Sequence, residues 1–319
     1  MRALFISSRP LERASNIKAV WDAMADCDRS FTFNGMRAGT YDYTEAEHDG
    51  YDVIVTDDFI APVKDKSHVK IIDIGHGVDG FKLCGKNWGG YPMEKLTQID
   101  YLIAASDWTA YIRSDECYGK VEAVALGVPR TDAYVNGEPK HSDEYEKVYL
   151  YVPSWRADTD GDMPRFDWHW IDHQLGDDEH LFVKRHMCSS ESILGDGSYE
   201  HISEIGNDVP SEDMIMSADV VITDYSSIMA DAWVANKPVV LYCPDKDSYL
   251  KKRGMYRDYP AGYASYHTHI PMNMIDTVRI AYNSGQSGLE RDLKYLFASK
   301  CDGRATERVV RFIRKVADE

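Results

Sequence analysis

The chain has 319 residues, 44% of them hydrophobic, and a formal net charge of −17. That length exceeds what one core ordinarily fills, so two domains are expected. The acidic balance excludes a general nucleic-acid binder, which needs a basic face, but it leaves room for a nucleotide held in a small basic pocket. The six cysteines are scattered and form no C-x-x-C pair, which fits reduced thiols in a cytosolic protein better than a disulfide framework.

Residues 3–7 predict a strand at the very start of the chain. No charged-then-apolar leader precedes it, and no apolar run is long enough to span a bilayer, so any meeting with a membrane is expected to be peripheral. Residues 14–24 predict a helix with Ile17, Val20, Trp21 and Met24 on one face. Strands are expected at 51–56, 69–74, 101–105 and 121–126. After the third of these, Ser106 or Asp107 caps a helix carrying Trp108, Tyr111 and Ile112. The alternation is that of a parallel sheet covered by helices. A polar stretch at 136–147 reads as a linker.

The pattern then restarts, with a strand at 148–152, a helix at 166–175 and a strand at 180–184. His169 and His173 have metal-binding spacing, but Trp168, Trp170 and Ile171 surround them and no Glu-x-x-His follows, so a packed amphipathic helix is expected and no metal is called for. The apolar run Val220 to Ile222 predicts a buried parallel strand that ends in Asp224, Tyr225, Ser226 and Ser227. A helix with Ile228, Met229, Ala232 and Trp233 on one side follows, then a strand at 238–242. Two hydroxyl residues at a strand-to-helix turn either cap the helix or, with its free amides, form an anion site at the carboxyl end of a strand. Helices at 272–282, 289–298 and 305–317 close the chain. The last has Arg308, Arg311, Arg314 and Lys315 among apolar residues; it is expected to pack across the two domains, with contact to an anionic membrane as the alternative. The domains are placed at 1–138 and 139–303, with 304–319 as a closing helix.

Six segments in order resemble the CDP-glycerol glycerophosphotransferase family, the teichoic-acid primase and polymerase group. They are His76-Gly77 with Lys82; Gly127-Val128-Pro129-Arg130-Thr131-Asp132; Tyr151-Val152-Pro153-Ser154-Trp155-Arg156; Lys184-Arg185-His186; Thr223-Asp224-Tyr225-Ser226-Ser227; and Arg253-Gly254 with Tyr256. The resemblance implies an α/β fold of the GT-B class, with two Rossmann-like, doubly wound parallel-sheet domains facing a central cleft. The first would be an acceptor-side domain and the second a nucleotide-donor domain. It implies transfer of glycerol phosphate from CDP-glycerol to an acceptor hydroxyl on a lipid-linked or glycan acceptor, with release of CMP and without a cofactor. A cytoplasmic enzyme, at the inner face of the membrane when it meets one, is expected.

His76 is the expected base: it stands between Gly75 and Gly77 at a strand end, where flanking glycines let the chain turn and leave the ring exposed. His186 is expected to hold the donor phosphates together with Pro153, Ser154, Arg156, Lys184, Asp224, Ser226, Ser227 and Arg253. Gly77 and Lys82 fall on the acceptor side. Two departures stand out: Met187 where the family has proline, and Ser154 where it has threonine. The shortness of the chain points to addition of one or a few units rather than processive synthesis. Three other readings share much of this pattern: a GT-B transferase using CDP-ribitol or a nucleotide sugar, a nucleotide-binding protein without catalysis, and an epimerase that would use carboxylates such as Asp57 and Asp58.

Overall fold

The computed structural model describes residues 1–7, 9–33, 49–57, 69–84, 98–117, 119–138, 140, 142, 144–154, 166–185, 192–206 and 208–319. The chain divides into two units, one formed by Met1–Asn136 with Tyr295–Glu319 and the other by Gly137–Lys294. Residues 295–303, assigned from sequence to the second domain, therefore belong to the first.

In the first unit the strands β1 (Arg2–Ser7), β2 (Asp28–Phe33), β3 (Val53–Thr56), β4 (Lys70–Asp73), β5 (Tyr101–Ala104) and β6 (Glu122–Ala125) form a parallel sheet. Its order is β2-β1-β3-β4-β5-β6. The two-residue period of β1 feeds both faces. Ala3 and Phe5 point into one core with helix α1 (Ser15–Ala23), and Leu4 and Ile6 into the other with Ile54, Ile71 and Leu102. Helix α2 (Asp107–Glu116) packs on β5 and β6. Its N-cap is Ser106, whose Oγ accepts the Thr109 amide at 3.1 Å while Thr109 Oγ1 accepts the Ser106 amide at 2.8 Å, a reciprocal box. A short helix α3 (Asp132–Asn136) follows β6.

In the second unit β7 (Lys147–Val152), β8 (Glu179–Lys184), β9 (Ile202–Ile205), β10 (Val220–Thr223), β11 (Val239–Tyr242) and β12 (Tyr266–Thr268) form another parallel sheet. Its order is β12-β11-β10-β7-β8-β9. Counted from β7 as first strand and read from β9, this is 3-2-1-4-5-6, the Rossmann order, with its switch point between β7 and β10. Helices α4 (Trp168–Asp172), α5 (Ser211–Ser217), α6 (Ile228–Val234), α7 (Lys246–Lys252) and α8 (Met274–Ser284) cover it. Every residue of α6 is buried, Asp231 included, so this helix is enclosed all round rather than on one side. The helix expected over 166–175 is only Trp168–Asp172, with the Asp167 carboxylate capping the Trp170 amide at 3.0 Å.

Helix α9 (Gly288–Ala298) carries the chain from the second unit to the first. The last helix, α10 (Ala305–Ala317), buries Val309, Ile313 and Val316 in the same core as Phe5, Val20 and Val55. Both units are thus six-stranded α/β sheets, as the GT-B reading requires.

Candidate functional site

In the first unit the sheet reverses its order between β1 and β3, which end at Ser7 and just before Asp57. The buried Asp57 carboxylate accepts Ser7 Oγ at 3.1 Å and lies 3.5 Å from Arg9 Nη1. Its backbone carbonyl accepts His76 Nδ1 at 3.2 Å. A carbonyl only accepts, so this bond requires the proton on Nδ1, and in the neutral form of this exposed ring Nε2 is then the accepting nitrogen.

The turn that presents His76 follows β4 and is held at several backbone atoms. Asp73 Oδ1 accepts the Gly75 amide at 2.6 Å. Gly75 has φ of +61°, a conformation that suits glycine. Asn16 Nδ2, from the first turn of α1, donates to the Gly75 carbonyl at 2.7 Å and to the Ile74 carbonyl at 3.3 Å. Gly77 is buried and Lys82 half-buried in the segment that follows.

The Gly127-to-Asp132 motif lies in the same unit and has a mainly architectural use. Gly127, at φ +96°, passes so close to the Lys300 carbonyl oxygen that a Cβ would collide with it. The Arg130 amide donates to Asn16 Oδ1 at 3.0 Å. Asp132 accepts the Ala305 amide at 2.9 Å and the Thr306 amide at 2.8 Å, so it receives the start of α10.

In the second unit, Pro153 and Ser154 follow β7 and Asp224 follows β10, on the two sides of the switch point. Asp224 Oδ1 accepts the Ser154 amide at 2.7 Å and the Tyr225 amide at 2.6 Å, and so clasps the two loops together. Thr223 Oγ1 donates to the Val152 carbonyl at 2.6 Å one step below. Ser226 Oγ accepts the Ile228 amide at 3.3 Å. Ser227 occupies the N-cap position of α6 without a side-chain cap bond, so of the two hydroxyls only that of Ser226 serves the helix start.

A run of stacked tyrosines stands behind these loops. Tyr225 lies on Tyr249 of α7 with centroids 3.6 Å apart and planes at 7°, and Tyr259 sits 5.4 Å from Tyr225. Tyr225 donates to Asp245 Oδ1 at 2.8 Å, and Tyr259 donates to the Asp224 carbonyl. Burial pushes both phenols well above their ordinary range, so they stay neutral donors. Arg253 is the C-cap of α7, its amide bonded to the Tyr249 carbonyl at 2.8 Å, so the stack also steadies the Arg253-to-Tyr256 segment.

Lys184 is 5% exposed, and its ammonium donates to the Val209 carbonyl at 2.7 Å and the Gly206 carbonyl at 3.1 Å, so it braces the loop after β9. Arg156, His186, Met187 and Asp58 lie outside the described residues.

Within the first unit the structure places His76 and Gly77 on the turn after β4; within the second it places Pro153 and Ser154 after β7, and Asp224, Ser226 and Ser227 after β10. Sequence reading missed Asn16, the Asp57 carbonyl and Tyr249. An asparagine near the start of a helix carries no motif, and a carbonyl's use depends on where the ring falls. Only the Tyr225–Tyr249 pair had a trace, as aromatic residues beside two motifs.

A family model described as CDP-Glycerol:Poly(glycerophosphate) glycerophosphotransferase matches residues 2–315. The teichoic acid glycerol-phosphate primase of Bacillus subtilis (strain 168) is 28% identical over 287 residues, covering 83% of this chain and 74% of the relative. The teichoic acid ribitol-phosphate primase of Bacillus spizizenii (strain ATCC 23059 / NRRL B-14472 / W23) is 24% identical over 303 residues, covering 82% and 74%. A solved variant of the wall teichoic acid polymerase TagF superposes with a TM-score of 0.78 at 18% identity, covering 99% of this chain and 89% of that one, which bears on the fold alone.

Proposed function

The chain belongs to the CDP-Glycerol:Poly(glycerophosphate) glycerophosphotransferase family, and from that premise we propose that it transfers glycerol phosphate from CDP-glycerol to an acceptor hydroxyl and releases CMP. The acceptor oxygen attacks the phosphorus that bears glycerol, the bond from that phosphorus to the CMP oxygen breaks, and the hydroxyl proton passes to the enzyme. His76 is the group that takes it. The observation that carries this role is the bond from Nδ1 to the Asp57 carbonyl, which in the neutral ring keeps the proton on Nδ1 and makes Nε2 the nitrogen able to accept one.

On the donor side, the Ser226 and Ser227 loop and the amides beside it lie at the switch point of a Rossmann-order sheet, where phosphate-bearing ligands are received. Arg253, with Arg156 and His186, supplies positive charge against the departing CMP. Asp224 acts through the loops rather than on the ligand, since its carboxylate is buried and bonded to two amides. The acceptor is a hydroxyl on a lipid-linked or glycan molecule. No helix among the described residues is long and apolar enough to cross a membrane.

CDP-ribitol is the competing donor, because one of the relatives is named as a ribitol-phosphate primase. Calorimetry with CDP-glycerol and with CDP-ribitol, and CMP release with a lipid-linked acceptor mimic bearing a free hydroxyl, separate the two. Tight binding of CDP-glycerol with CMP release lowered about 10²–10⁴-fold, to a small residual rate, in His76→Ala is the expected result. Binding of CDP-ribitol alone would move the donor assignment. Binding of neither would leave the fold without this substrate, and binding without turnover would indicate a nucleotide-binding protein.

A further inference from the structure

We propose that Asn16 is a positioning residue for the transfer reaction, holding the His76 turn in its working conformation; this rests on the reading of His76 as the base. Asn16 is 1% exposed, and its amide group joins three backbone groups from two distant parts of the chain. Nδ2 donates to the carbonyls of Ile74 and Gly75 at 3.3 and 2.7 Å, while Oδ1 accepts the Arg130 amide at 3.0 Å.

The Gly75 carbonyl belongs to the peptide unit that leads directly into His76. The Gly75 amide, on the other side of the same residue, is taken by Asp73 Oδ1 at 2.6 Å. A glycine at φ +61° has wide freedom of its own, so these two side chains supply the restraint the residue lacks. With the backbone entering His76 fixed, the ring meets the Asp57 carbonyl at 3.2 Å and Nε2 has a defined place.

Amide chemistry suits this task. A carboxylate could receive the Arg130 amide but could not donate to the carbonyls, and a hydroxyl is too short to reach both sides. The bond to Arg130 also ties the turn to the segment Pro129–Thr131, whose Pro129 carbonyl accepts Thr306 Oγ1 at 3.3 Å and whose neighbour Asp132 receives the start of α10. The Gly-x-Pro-Arg-x-Asp motif thereby serves as the outer support of the His76 turn.

The test uses the full chain and four single variants, Asn16→Asp, Asn16→Ala, His76→Ala and Leu102→Ala, with the double variant Asn16→Ala/His76→Ala. Leu102 is buried on the opposite face of the sheet and serves as the control for lost stability. CMP release from CDP-glycerol gives kcat, calorimetry gives the donor Kd, and thermal unfolding is followed for each protein. Asn16→Asp keeps the acceptor for Arg130 and loses both donated bonds, so it isolates the hold on the turn and stands in if the alanine variant fails to fold.

Misplacing a reacting group by about 1 Å can cost on the order of 10²-fold in rate, so a fall in kcat of that order with donor Kd unchanged is expected for both Asn16 variants. Adding Asn16→Ala to His76→Ala should cost nothing further, because a residue that acts only through His76 has nothing left to position. Three results would overturn the inference: wild-type kcat in the Asn16 variants, an equal loss in Leu102→Ala, or an Asn16 effect that multiplies with that of His76→Ala. If His76→Ala itself keeps wild-type kcat, the reading of the base fails and this inference fails with it, an outcome distinct from the other three.

Discussion

Asp224 shows how a motif residue can act on backbone: its carboxylate is buried and bonded to the amides of two loops. One of its oxygens accepts two amides, from Ser154 and Tyr225, and its own carbonyl takes the Tyr259 hydroxyl. Removing the carboxylate in Asp224→Ala leaves two buried amides without an acceptor, each costing about 1–3 kcal/mol. The loops on both sides of the β7–β10 switch point lose their common anchor, and calorimetry should show CDP-glycerol binding weakened at least tenfold, which corresponds to about 1.4 kcal/mol. Asp224→Asn retains a carbonyl oxygen at the same place and should lie close to wild type. Equal losses in the two variants would mean that the negative charge, and not the clasp, is what the site uses. The residue was legible in the sequence as part of Thr223 to Ser227, but its role was not, because an acid at a strand end can cap, orient or bind, and only the neighbouring loop decides. Lys184 shows the same limit: its place at the end of β8 was readable, while its two carbonyl partners come from the loop after β9, more than twenty residues away.

At the scale of elements, the central strands were readable because both of their faces are buried. Val53–Thr56, Val220–Thr223 and Val239–Tyr242 are buried at every position and appear in the sequence as short apolar runs, two of them closed by a threonine. The strands that escaped notice lie toward the sheet edges. Asp28–Phe33 at one edge is half-buried with charged and polar residues, and Ile202–Ile205 and Tyr266–Thr268 are the two edges of the second sheet. An edge strand needs less apolar surface, so its pattern fades into that of a loop.

Strand β8 also carries a buried carboxylate, paired with a partly exposed arginine, that sets an acid limit on stability. Burial alone would raise the Glu179 carboxyl, but Arg279 Nη2 at 2.6 Å, the Gly176 amide at 2.9 Å and the Tyr149 hydroxyl at 2.8 Å hold it down to about 2. A carboxyl depressed in the folded state stabilises the protein above its unfolded pKa, and that contribution is lost as pH falls from about 4.5 toward about 2. Glu179→Gln should therefore unfold more easily at pH 7 by about 1.5–3 kcal/mol, the worth of a hydrogen bond to a charged group, since Arg279 keeps partial access to water. Urea midpoints of the two proteins should converge between about pH 4.5 and pH 2. A gap that stayed constant through that window would show that packing, rather than the charge, sets the cost.

For the molecule as a whole, charge and the fate of α10 bear on whether the enzyme meets a membrane through its last helix. The sequence shows a basic amphipathic pattern, which is the signature of an interfacial helix. In the structure the apolar side of that pattern is already used: Val309 and Ile313 are fully buried and Val316 nearly so, all in the core of the first unit. The cations are also matched. Arg304 and Arg311 share Glu307, Arg308 pairs with Asp302, Arg314 with Asp26 and Lys315 with Glu319. Exposed pairs of this kind add little stability, so pairing alone would not prevent a cation from turning to a lipid headgroup. The missing ingredient is an apolar face free to insert, and a net charge of −17 sets the rest of the protein against an anionic surface. Deleting the helix would strip the core of the first unit and say nothing about lipid, whereas Arg304→Gln with Arg311→Gln removes two exposed charges and leaves Val309, Ile313 and Val316 in place. Co-sedimentation of the full chain with vesicles rich in anionic lipid, at low salt where surface charge acts furthest, should be the same for this double variant as for the wild type. A clear loss of bound protein would assign α10 a second task at the bilayer besides completing the first unit.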